Sequence, residues 1–517
     1  MGALSRSRPA WMLAVLLLLV AAPASHAAKV NMPGAVPHVE YDGIQKLHYE
    51  FGPIAIAPGQ NTIEFEPNRL KPDVPGYITR FEPNLIRRNG TVPPVDEIHL
   101  HHGVWLMRNY PTFAAGEEKT ITQFPRGFGY RYAPEDTWIM NHMIHNLLPG
   151  KDEVYLTYDI DFVPASSAGA QQIREAKPLW MDVAGISAYP VFDVKRGWGG
   201  SDGKYTFPDE AALASERRKI GRAQSFNADQ DMTLIWTGGH LHPGGISTDL
   251  EMRRGTYRRN IFKSQAKYWE PAGAVSWDVA MTVSDPDWRV KVSPGDELRL
   301  SATYDAKRGA WYESMGINFL WYVDGHTDDA KDPFSQPVSA RGDITHGHLP
   351  ENDNHGGEQA VLPDPRRLLA GPVTAGVTIR DFVYGRGDLA GAGRTGRPPT
   401  VPVGRSLTFR NADSGETIWH TITACKEPCN RETGIAYPLA DGRVQFDSGQ
   451  LGFGPRFATA AANRDTWSTP KNLRAGTYTF FCRVHPFMRG AFRVKGRATR
   501  GASRRRAVAR RSLATRR

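Results

Sequence analysis

The chain is poor in cysteine, in helical periodicity and, after its first 27 residues, in long apolar runs. Its 517 residues include only three cysteines, so a single molecule can form at most one disulfide. After residue 27 no segment approaches the roughly 18 consecutive apolar residues of a membrane-spanning helix. Only residues 209–221 are expected to form a short helix. Alternating apolar and polar residues, as at 154–163 and 297–304, recur between turns rich in glycine and proline and predict an all-β protein.

Net charge is also nearly absent from the body of the chain, although the whole sequence carries +10. Ten lysines and arginines and no acidic residue lie between Lys495 and Arg517, and two more arginines lie within residues 1–27. Subtracting these twelve from the 64 basic residues leaves 52, against 54 acidic residues. The tail, 498–517, is predicted to be disordered and to contact an acidic envelope polymer or membrane surface, with a purely solubilising tail as the alternative. The charge gives no support for a nucleic-acid partner.

The first 27 residues have the pattern of an export signal. Two arginines precede an apolar run at 11–22, and Ser-His-Ala at 25–27 supplies the small residues of a cleavage site. This pattern predicts a secretory signal peptide, and with it a secreted or periplasmic protein. In such an oxidising compartment Cys425 and Cys429 are predicted to form a disulfide, and two free thiols are the alternative.

A set of sulfur and nitrogen metal ligands lies near the C-terminus. Cys482, His485 and Met488 are spaced three residues apart between predicted strands, and His420 lies 62 positions before Cys482. Two histidines and a cysteine with a weak axial methionine form the ligand set of a type 1, or blue, copper site. The alternative is a buried structural cysteine beside a surface histidine and a core methionine.

This C-terminal segment resembles a known family. Residues 482–490, with the pattern Cys-x-x-His-Pro-Phe-Met-Arg-Gly, resemble the amicyanin-type copper loop of the plastocyanin-like cupredoxins. Trp-His-Thr-Ile-Thr at 419–423 resembles the strand that carries the first histidine of that family. The resemblance covers residues 372–497 and implies a Greek-key cupredoxin β-sandwich that holds one type 1 copper for electron transfer. A multicopper oxidase is disfavoured because no histidine flanks Cys482.

Seven further histidines fall into three groups on β-prone segments. The groups are His99, His101 and His102; His142 and His145; and His240 and His242. On a strand, residues two apart point to the same face, so His240 and His242 can reach one metal ion. Adjacent residues such as His101 and His102 can share a metal only where a β-bulge or a strand end places both on one side. The alternative for each group is an ordinary hydrogen-bonded strand histidine.

The order of these groups and their flanking segments resembles the peptidylglycine-hydroxylating and dopamine β-monooxygenases. The likeness covers residues 35–325 and extends to the stress up-regulated nodulin proteins, which share Ile-His-x-His-His and Gly-His-Leu-His-x-Gly-Gly. It implies two jelly-roll-like β-sandwiches that each hold one copper. By this resemblance, the first copper is held by His101, His102 and His145, and the second by His240, His242 and Met315.

Three positions depart from the peptide-amidating pattern. Gly238 stands where those enzymes have the arginine that holds the substrate carboxylate, and Ile317 and Phe319 replace an asparagine and a tyrosine. Because glycine cannot supply the forked donors of an arginine, a peptidylglycine substrate is disfavoured.

These patterns divide the chain into a signal peptide, two sandwiches, a linker, a cupredoxin domain and a tail. The predicted bounds are 1–27, 28–190, 191–325, 326–371, 372–497 and 498–517. The linker carries one further group, His346, His348 and His355, for which a solvated loop is favoured over a transient metal site.

The sequence therefore predicts an exported copper oxidoreductase with up to three copper ions. Its cupredoxin would pass electrons from a redox partner protein or small reductant to an N-terminal two-copper centre that activates O2 and hydroxylates an organic substrate. One alternative is a non-catalytic blue-copper carrier whose N-terminal sandwiches only bind a ligand or partner. The other is a structural envelope protein without copper.

Overall fold

Short alternating segments form strands along the whole described chain. The computed structural model describes residues 36–496 except 61–62, 96, 149, 185–189, 195–196, 212–223, 270–277, 308–310, 346–363, 390–396, 415–417, 425–444, 450, 453–463, 483–484 and 486–487. Within these residues the regular structure is β-strand apart from two short 3-10 helices, Ala168–Gln172 and Gly385–Gly387. The all-β prediction is confirmed. Most of the helix predicted at 209–221 lies outside the described residues. None of the helices described here has the length and apolarity of a membrane span.

The N-terminal part contributes 22 strands, numbered in chain order. They are β1 (Gln45–Ile56), β2 (Ile63–Pro67), β3 (Gly76–Arg87), β4 (Ile98–Met107), β5 (Tyr110–Ala115), β6 (Thr122–Gln123), β7 (Phe128–Tyr132), β8 (Trp138–Asn146), β9 (Asp152–Pro164), β10 (Arg174–Asp182), β11 (Phe192–Val194), β12 (Lys204–Phe207), β13 (Ser225–Asn227), β14 (Met232–Leu241), β15 (Gly245–Arg254), β16 (Tyr257–Tyr268), β17 (Val279–Ser284), β18 (Val290–Val292), β19 (Glu297–Asp305), β20 (Trp311–Ser314), β21 (Gly316–Asp324) and β22 (Gly342–Ile344).

One 16-stranded sheet runs through both predicted N-terminal sandwiches, with the main order β1-β9-β3-β7-β10-β21-β14-β17-β16-β15-β19-β12. Strand β10 is the junction. Its residues 174–176 pair in parallel with β7, and its residues 177–182 pair antiparallel with β21. The two halves therefore share a continuous sheet. The predicted domain bounds are not tested by this arrangement and stay predictions.

A separate four-stranded sheet, β2-β8-β4-β5, carries five of the seven grouped N-terminal histidines. Buried side chains of this sheet and of β3 and β9 form one hydrophobic core, so the first part is a sandwich. Aromatic rings fill its centre, and Phe81 stacks on Phe113 with ring centroids 4.4 Å apart. Burial of such large apolar side chains is the main stabilising contribution of a β-sandwich core.

A second core occupies the following half of the N-terminal part. It includes Phe192 and Phe207, whose rings stack at 4.2 Å, and Tyr304 of β19. Strand β19 alternates between half-buried and buried positions along its whole length. This is the period-two pattern that its sequence predicts.

The C-terminal part adds seven strands in two sheets. They are β23 (Gly376–Ile379), β24 (Thr400–Pro402), β25 (Thr408–Asn411), β26 (Thr423–Ala424), β27 (Thr466–Ser468), β28 (Gly476–Phe481) and β29 (Arg489–Lys495). One sheet has the order β23-β25-β27 and the other the order β24-β29-β28-β26. A third core lies between them and contains Phe409, Phe480 and Phe492. This two-sheet arrangement confirms the predicted β-sandwich fold class, and the bounds 372–497 stay a prediction.

Candidate metal centre and the neighbouring histidines

Cys482, His485 and His420 come together in the C-terminal sandwich. The Sγ atom of Cys482 lies 3.9 Å from Nδ1 of His420 and 3.7 Å from Nδ1 of His485. The two Nδ1 atoms are 3.1 Å apart. Among the described residues these three side chains are the only group of three or more His, Cys, Asp or Glu whose ligand atoms all lie within 4.8 Å of one another. Two imidazole nitrogens and one thiolate fit the equatorial ligand set of type 1 copper.

The loop that carries these ligands is closed by the end of a hairpin. Strand β28 ends at Phe481, which pairs with Arg489 at the start of β29. Inside this pair the Cys482 amide donates to the Met488 carbonyl at 3.1 Å, and the Met488 amide donates to the His485 carbonyl at 2.8 Å. Met488 is fully buried in the same core as Cys482. The backbone therefore fixes the three predicted loop ligands close to one another.

Gly490 makes room for this arrangement. It pairs directly with Phe480 across β28 and β29. A Cβ atom at position 490 would lie 2.4 Å from the Phe480 ring, which is closer than van der Waals contact allows. Glycine at this position therefore lets the Phe480 ring pack in the core behind the copper loop.

His420 is held on its opposite edge by a carboxylate. Its backbone exchanges hydrogen bonds with Leu451 at 3.0 and 2.8 Å, and its Nε2 lies 3.0 Å from Oδ2 of Asp413. Burial raises the pKa of Asp413, but the hydrogen bond from His420 and backbone amides outweigh it, and that pKa falls below its usual value. An ionised Asp413 would hold the His420 tautomer in which Nδ1, on the side of Cys482, is free to coordinate copper, as the outer partners of metal-bound histidines generally do.

The same carboxylate orders a turn beside the centre. Asp413 accepts hydrogen bonds from the backbone amides of Asp381 and Phe382 at 2.9 and 3.3 Å. Both turn residues have positive φ, 51° and 60°, a conformation that costs energy for a residue with a Cβ atom. The Phe382 ring then packs edge-on against His485, with ring centroids 5.0 Å apart.

Two backbone amides point at the sulfur. The Thr421 and His485 amides lie 3.3 and 3.4 Å from Sγ of Cys482. Burial raises the pKa of the Cys482 thiol, but the hydrogen bond and charge of His420, with these amides, lower it below its ordinary value overall. The thiolate is the form that binds metals.

The N-terminal histidines meet where strands β4 and β8 pair. The pairing of these two strands contains a β-bulge between Leu100 and His102. This is the irregularity that two neighbouring histidines need if both are to face one metal site. His99 stands directly opposite His145, and their ring centroids are 4.9 Å apart. His101 lies farther from His145, at 6.4 Å. His99 is not among the predicted ligands. It nevertheless lies two residues before His101, the same spacing that points to a shared metal for His240 and His242.

The two predicted copper sites are contiguous rather than separate. His101 and His242 lie with ring centroids 4.5 Å apart, and His242 lies 5.1 Å from His240. His102 has a different environment from His101, because its Nε2 bonds Oδ1 of Asn141 at 3.2 Å. We define the histidine cluster as His99, His101, His145 and His242. Of the three ligands predicted for the first copper, His101 and His145 belong to this cluster, whereas the bulge places His102 in an adjoining cavity.

Burial favours the neutral form of six of the grouped N-terminal imidazoles. It lowers the pKa of His102 and His145 to about 3 and that of His142 to about 4. Burial and neighbouring histidines hold the pKa of His99, His101 and His242 well below the usual range. A neutral imidazole is the form that coordinates metals. Both ring nitrogens of His145 are buried and have no hydrogen-bond partner among the described residues.

Glu118 orients the remaining histidine of the predicted second site. Its Oε2 lies 2.9 Å from Nδ1 of His240, and its Oε1 accepts the Gly116 amide at 2.8 Å. The Nε2 of His240 is buried and has no hydrogen-bond partner within the described part of the chain. Met315, the third predicted ligand, is buried and lines the same cavity as His240.

The copper module also contacts the N-terminal part. His145 and His485 lie with ring centroids 6.2 Å apart, and the His485 ring lies beside the backbone of Gly59. Gly59 has φ +59°, and a Cβ atom there would lie 2.3 Å from the Phe382 ring and 3.0 Å from Nε2 of His485. The described residues of both parts belong to one compact unit. No local spacing in the sequence predicts this contact.

Several predicted features lie outside the described residues. They are the signal peptide at 1–27, the pairing of Cys425 with Cys429, the linker histidines His346, His348 and His355, and the basic tail.

Comparisons with known proteins add little. No family model and no curated protein match the chain. Similar solved structures include a purple cupredoxin from Nitrosopumilus maritimus, with 23% identity, coverage of 24% of this chain and 100% of that one, and a TM-score of 0.16. A copper-containing nitrite reductase from Thermus scotoductus has 14% identity over 51% of this chain and 55% of that one, with a TM-score of 0.15. The glycosylasparaginase PNGase F from Flavobacterium meningosepticum has 10% identity, 55% and 97% coverage and a TM-score of 0.26.

These similarities are too low to carry a functional argument. They give no support to the predicted resemblance of residues 35–325 to copper monooxygenases and nodulin proteins, which stays a prediction. The geometry of the centre around Cys482 remains the basis on which function can be argued.

Proposed function

We propose that this protein is a copper-dependent oxidoreductase in which a type 1 copper centre exchanges single electrons with copper held by the N-terminal histidines. The observation that carries the proposal is the approach of His485 to His145, with ring centroids 6.2 Å apart. His485 offers Nδ1 to the candidate copper site, and its ring also contacts the N-terminal part at Gly59. The imidazole of one copper ligand therefore adjoins the second set of metal-binding side chains, which favours fast electron transfer.

The chemistry of the second set supports a redox metal. Burial lowers the pKa of His101, His145 and His242, and neutral imidazole is a good ligand for copper. Met315 lies beside the same cavity as His240, and a thioether favours Cu(I), the oxidation state that binds O2. We therefore retain His240, His242 and Met315 as the proposed ligands of an oxygen-activating copper. The remaining members of the histidine cluster, His99, His101 and His145, are the proposed site of the other N-terminal copper.

Hydroxylation of a C–H bond is the proposed reaction. Insertion of one oxygen atom of O2 into R–H consumes two electrons and two protons and gives R–OH and water. A type 1 centre delivers one electron at a time, so each turnover requires it to be reduced twice by a redox partner protein or small reductant. Because the donor is part of the same chain, its effective concentration at the second site is high.

A second candidate function is a non-catalytic blue-copper carrier. It is favoured by the absence, among the described residues, of a second group of three His, Cys, Asp or Glu as tight as the one around Cys482. In this case the N-terminal part binds a ligand or partner without turnover.

Copper content separates the two functions. A content of three copper ions per full chain supports the oxidoreductase, and a content of one copper ion supports the carrier. A protein that binds no copper contradicts both functions.

In the decisive experiment, the copper-loaded protein is reduced anaerobically and mixed with O2, and the return of its visible absorption is followed. His145→Phe should slow this return at least tenfold, whereas His142→Phe, on the same strand but packed against Phe51, should not. Equal rates in both variants would contradict the proposed electron route.

A further inference from the structure

A cavity of about 340 Å³ lies between the four-stranded sheet and strands of the second core. Its volume is at the lower end of the range of about 300–1,000 Å³ for small-molecule sites. Val104 and Leu106 of β4 line one side, and Ile317 and Phe319 of β21 line another. The histidines His102 and His240 also line it. The cavity therefore adjoins His240 of the proposed oxygen-activating site, and His102, whose ring lies 5.7 Å from that of His101 in the histidine cluster.

Large aromatic side chains shape the walls. Trp180 and Phe319 meet edge to face, with ring centroids 4.8 Å apart, and both line the cavity. The Trp236 indole lies beside Gly238, where a Cβ atom would be only 2.8 Å from the ring. The space next to the backbone at position 238 is thus already filled by an indole, and a long side chain there would have to displace it.

The charges in the cavity are already compensated. Among the described residues that line the cavity there is no lysine or arginine, so a carboxylate or phosphate would lose its hydration without gaining an ionic partner from them. Glu118 is the one acidic side chain in the described part of the lining. Its two oxygens already contact His240 and the Gly116 amide. A cationic ligand would therefore have to compete with His240 for the same carboxylate.

We propose that this cavity binds a small uncharged molecule with an apolar, ring-sized body, whose polar end lies towards His102 and His240. The inference rests on the proposed function, because it names the substrate class of that reaction: a neutral compound whose C–H bond is presented to the histidine-lined side. The remaining walls recognise it by apolar and aromatic contact.

The test compares probes of matched shape on the copper-loaded full chain. Benzyl alcohol, benzoate and benzyltrimethylammonium are titrated calorimetrically under anaerobic conditions, so that no turnover occurs. Benzyl alcohol should bind at least tenfold more tightly than either charged probe. Binding of a charged probe with equal or greater affinity, or no binding of benzyl alcohol, overturns the inference.

Two variants locate the binding. Leu106→Arg places a cation in the cavity wall. It should weaken the binding of benzyl alcohol at least tenfold and strengthen the binding of benzoate. The matched control is Leu369→Arg, because Leu369 is 68% exposed and outside the cavity. Circular dichroism and thermal unfolding check that both variants fold. Unchanged binding in a folded Leu106→Arg protein contradicts this location.

The outcomes separate this inference from the proposed function. Tight binding of benzyl alcohol by a protein that never consumes O2 contradicts the oxidoreductase and leaves the cavity assignment standing. O2-dependent reoxidation in a protein that does not bind benzyl alcohol contradicts the cavity assignment alone.

Discussion

Asp413 and His420 form a buried pair in which the carboxylate oxygen Oδ2 lies 3.0 Å from the imidazole Nε2. The other ring nitrogen, Nδ1, lies on the side of Cys482. One acidic side chain therefore fixes the orientation of a proposed copper ligand while it also holds the turn at Asp381 and Phe382.

We expect Asp413→Asn to weaken copper binding by about 10- to 100-fold, the usual effect of removing an outer partner of a metal-bound histidine. Competition with a chromophoric Cu(I) chelator measures this affinity. Asp465→Asn is the control, since Asp465 is an exposed partner of Arg410 in the same sandwich. An affinity within twofold of the wild type would show that Asp413 is dispensable for the site.

Cys482→Ser should abolish the intense visible absorption of the copper-loaded protein, because that absorption arises from a copper–thiolate bond. The substitution is small, and the side chain is fully buried, so thermal unfolding must be measured alongside the spectrum. The same substitution at Cys425 or Cys429 should leave the absorption in place. A folded Cys482→Ser protein that stays blue would contradict the type 1 assignment.

Glu117 supports the β-bulge from the side. Its Oε2 accepts the Leu100 amide at 2.9 Å, next to the irregularity that separates His101 from His102. Burial raises the pKa of Glu117 from 4.5 to about 7, although Lys119, 3.3 Å away, opposes the shift. The folded protein therefore holds this proton more tightly than the unfolded chain does.

The sign of the resulting pH dependence follows from linkage. The stabilisation by protonated Glu117 is complete below about pH 4.5 and is lost as the pH rises to about 7, a change on the order of 2–3 kcal/mol. Glu117→Gln keeps an acceptor for the Leu100 amide but cannot ionise, so this part of the pH dependence should disappear. Urea unfolding at pH 5 and pH 8 measures it. Glu153→Gln, at a half-exposed partner of Arg88, is the control, and an unchanged pH dependence in Glu117→Gln would refute the interpretation.

The sequence predicts what depends on local spacing. Cys482, His485 and Met488 lie within one short loop, so their recurrence at intervals of three singles them out as candidate ligands, and the structure brings Cys482 and His485 together with His420. The need for a bulge at His101 also followed from strand geometry alone. The opposition of His99 to His145 depends on the register of β4 and β8, which neither segment specifies by itself. Asp413 lies seven residues before His420 and Glu117 lies 17 residues after Leu100, but no pattern around either residue distinguishes it from other acidic residues.

The contact of the two modules at Gly59 gives the last prediction. A Cβ atom at this position would lie 2.3 Å from the Phe382 ring and 3.0 Å from Nε2 of His485, so Gly59→Ala should force the two modules apart without removing a metal ligand. Gly90→Ala is a matched control, because Gly90 also has positive φ, +80°, but has nothing within 4 Å of an added Cβ. Both variants carry similar backbone strain, so only the steric effect differs.

We expect Gly59→Ala to keep the visible spectrum and copper content of the wild type, while its reoxidation by O2 slows at least tenfold. Gly90→Ala should reoxidise at the wild-type rate. Stopped-flow absorption after anaerobic reduction measures both rates, and equal slowing in the two variants would assign the effect to backbone strain instead of the contact between His485 and the N-terminal part.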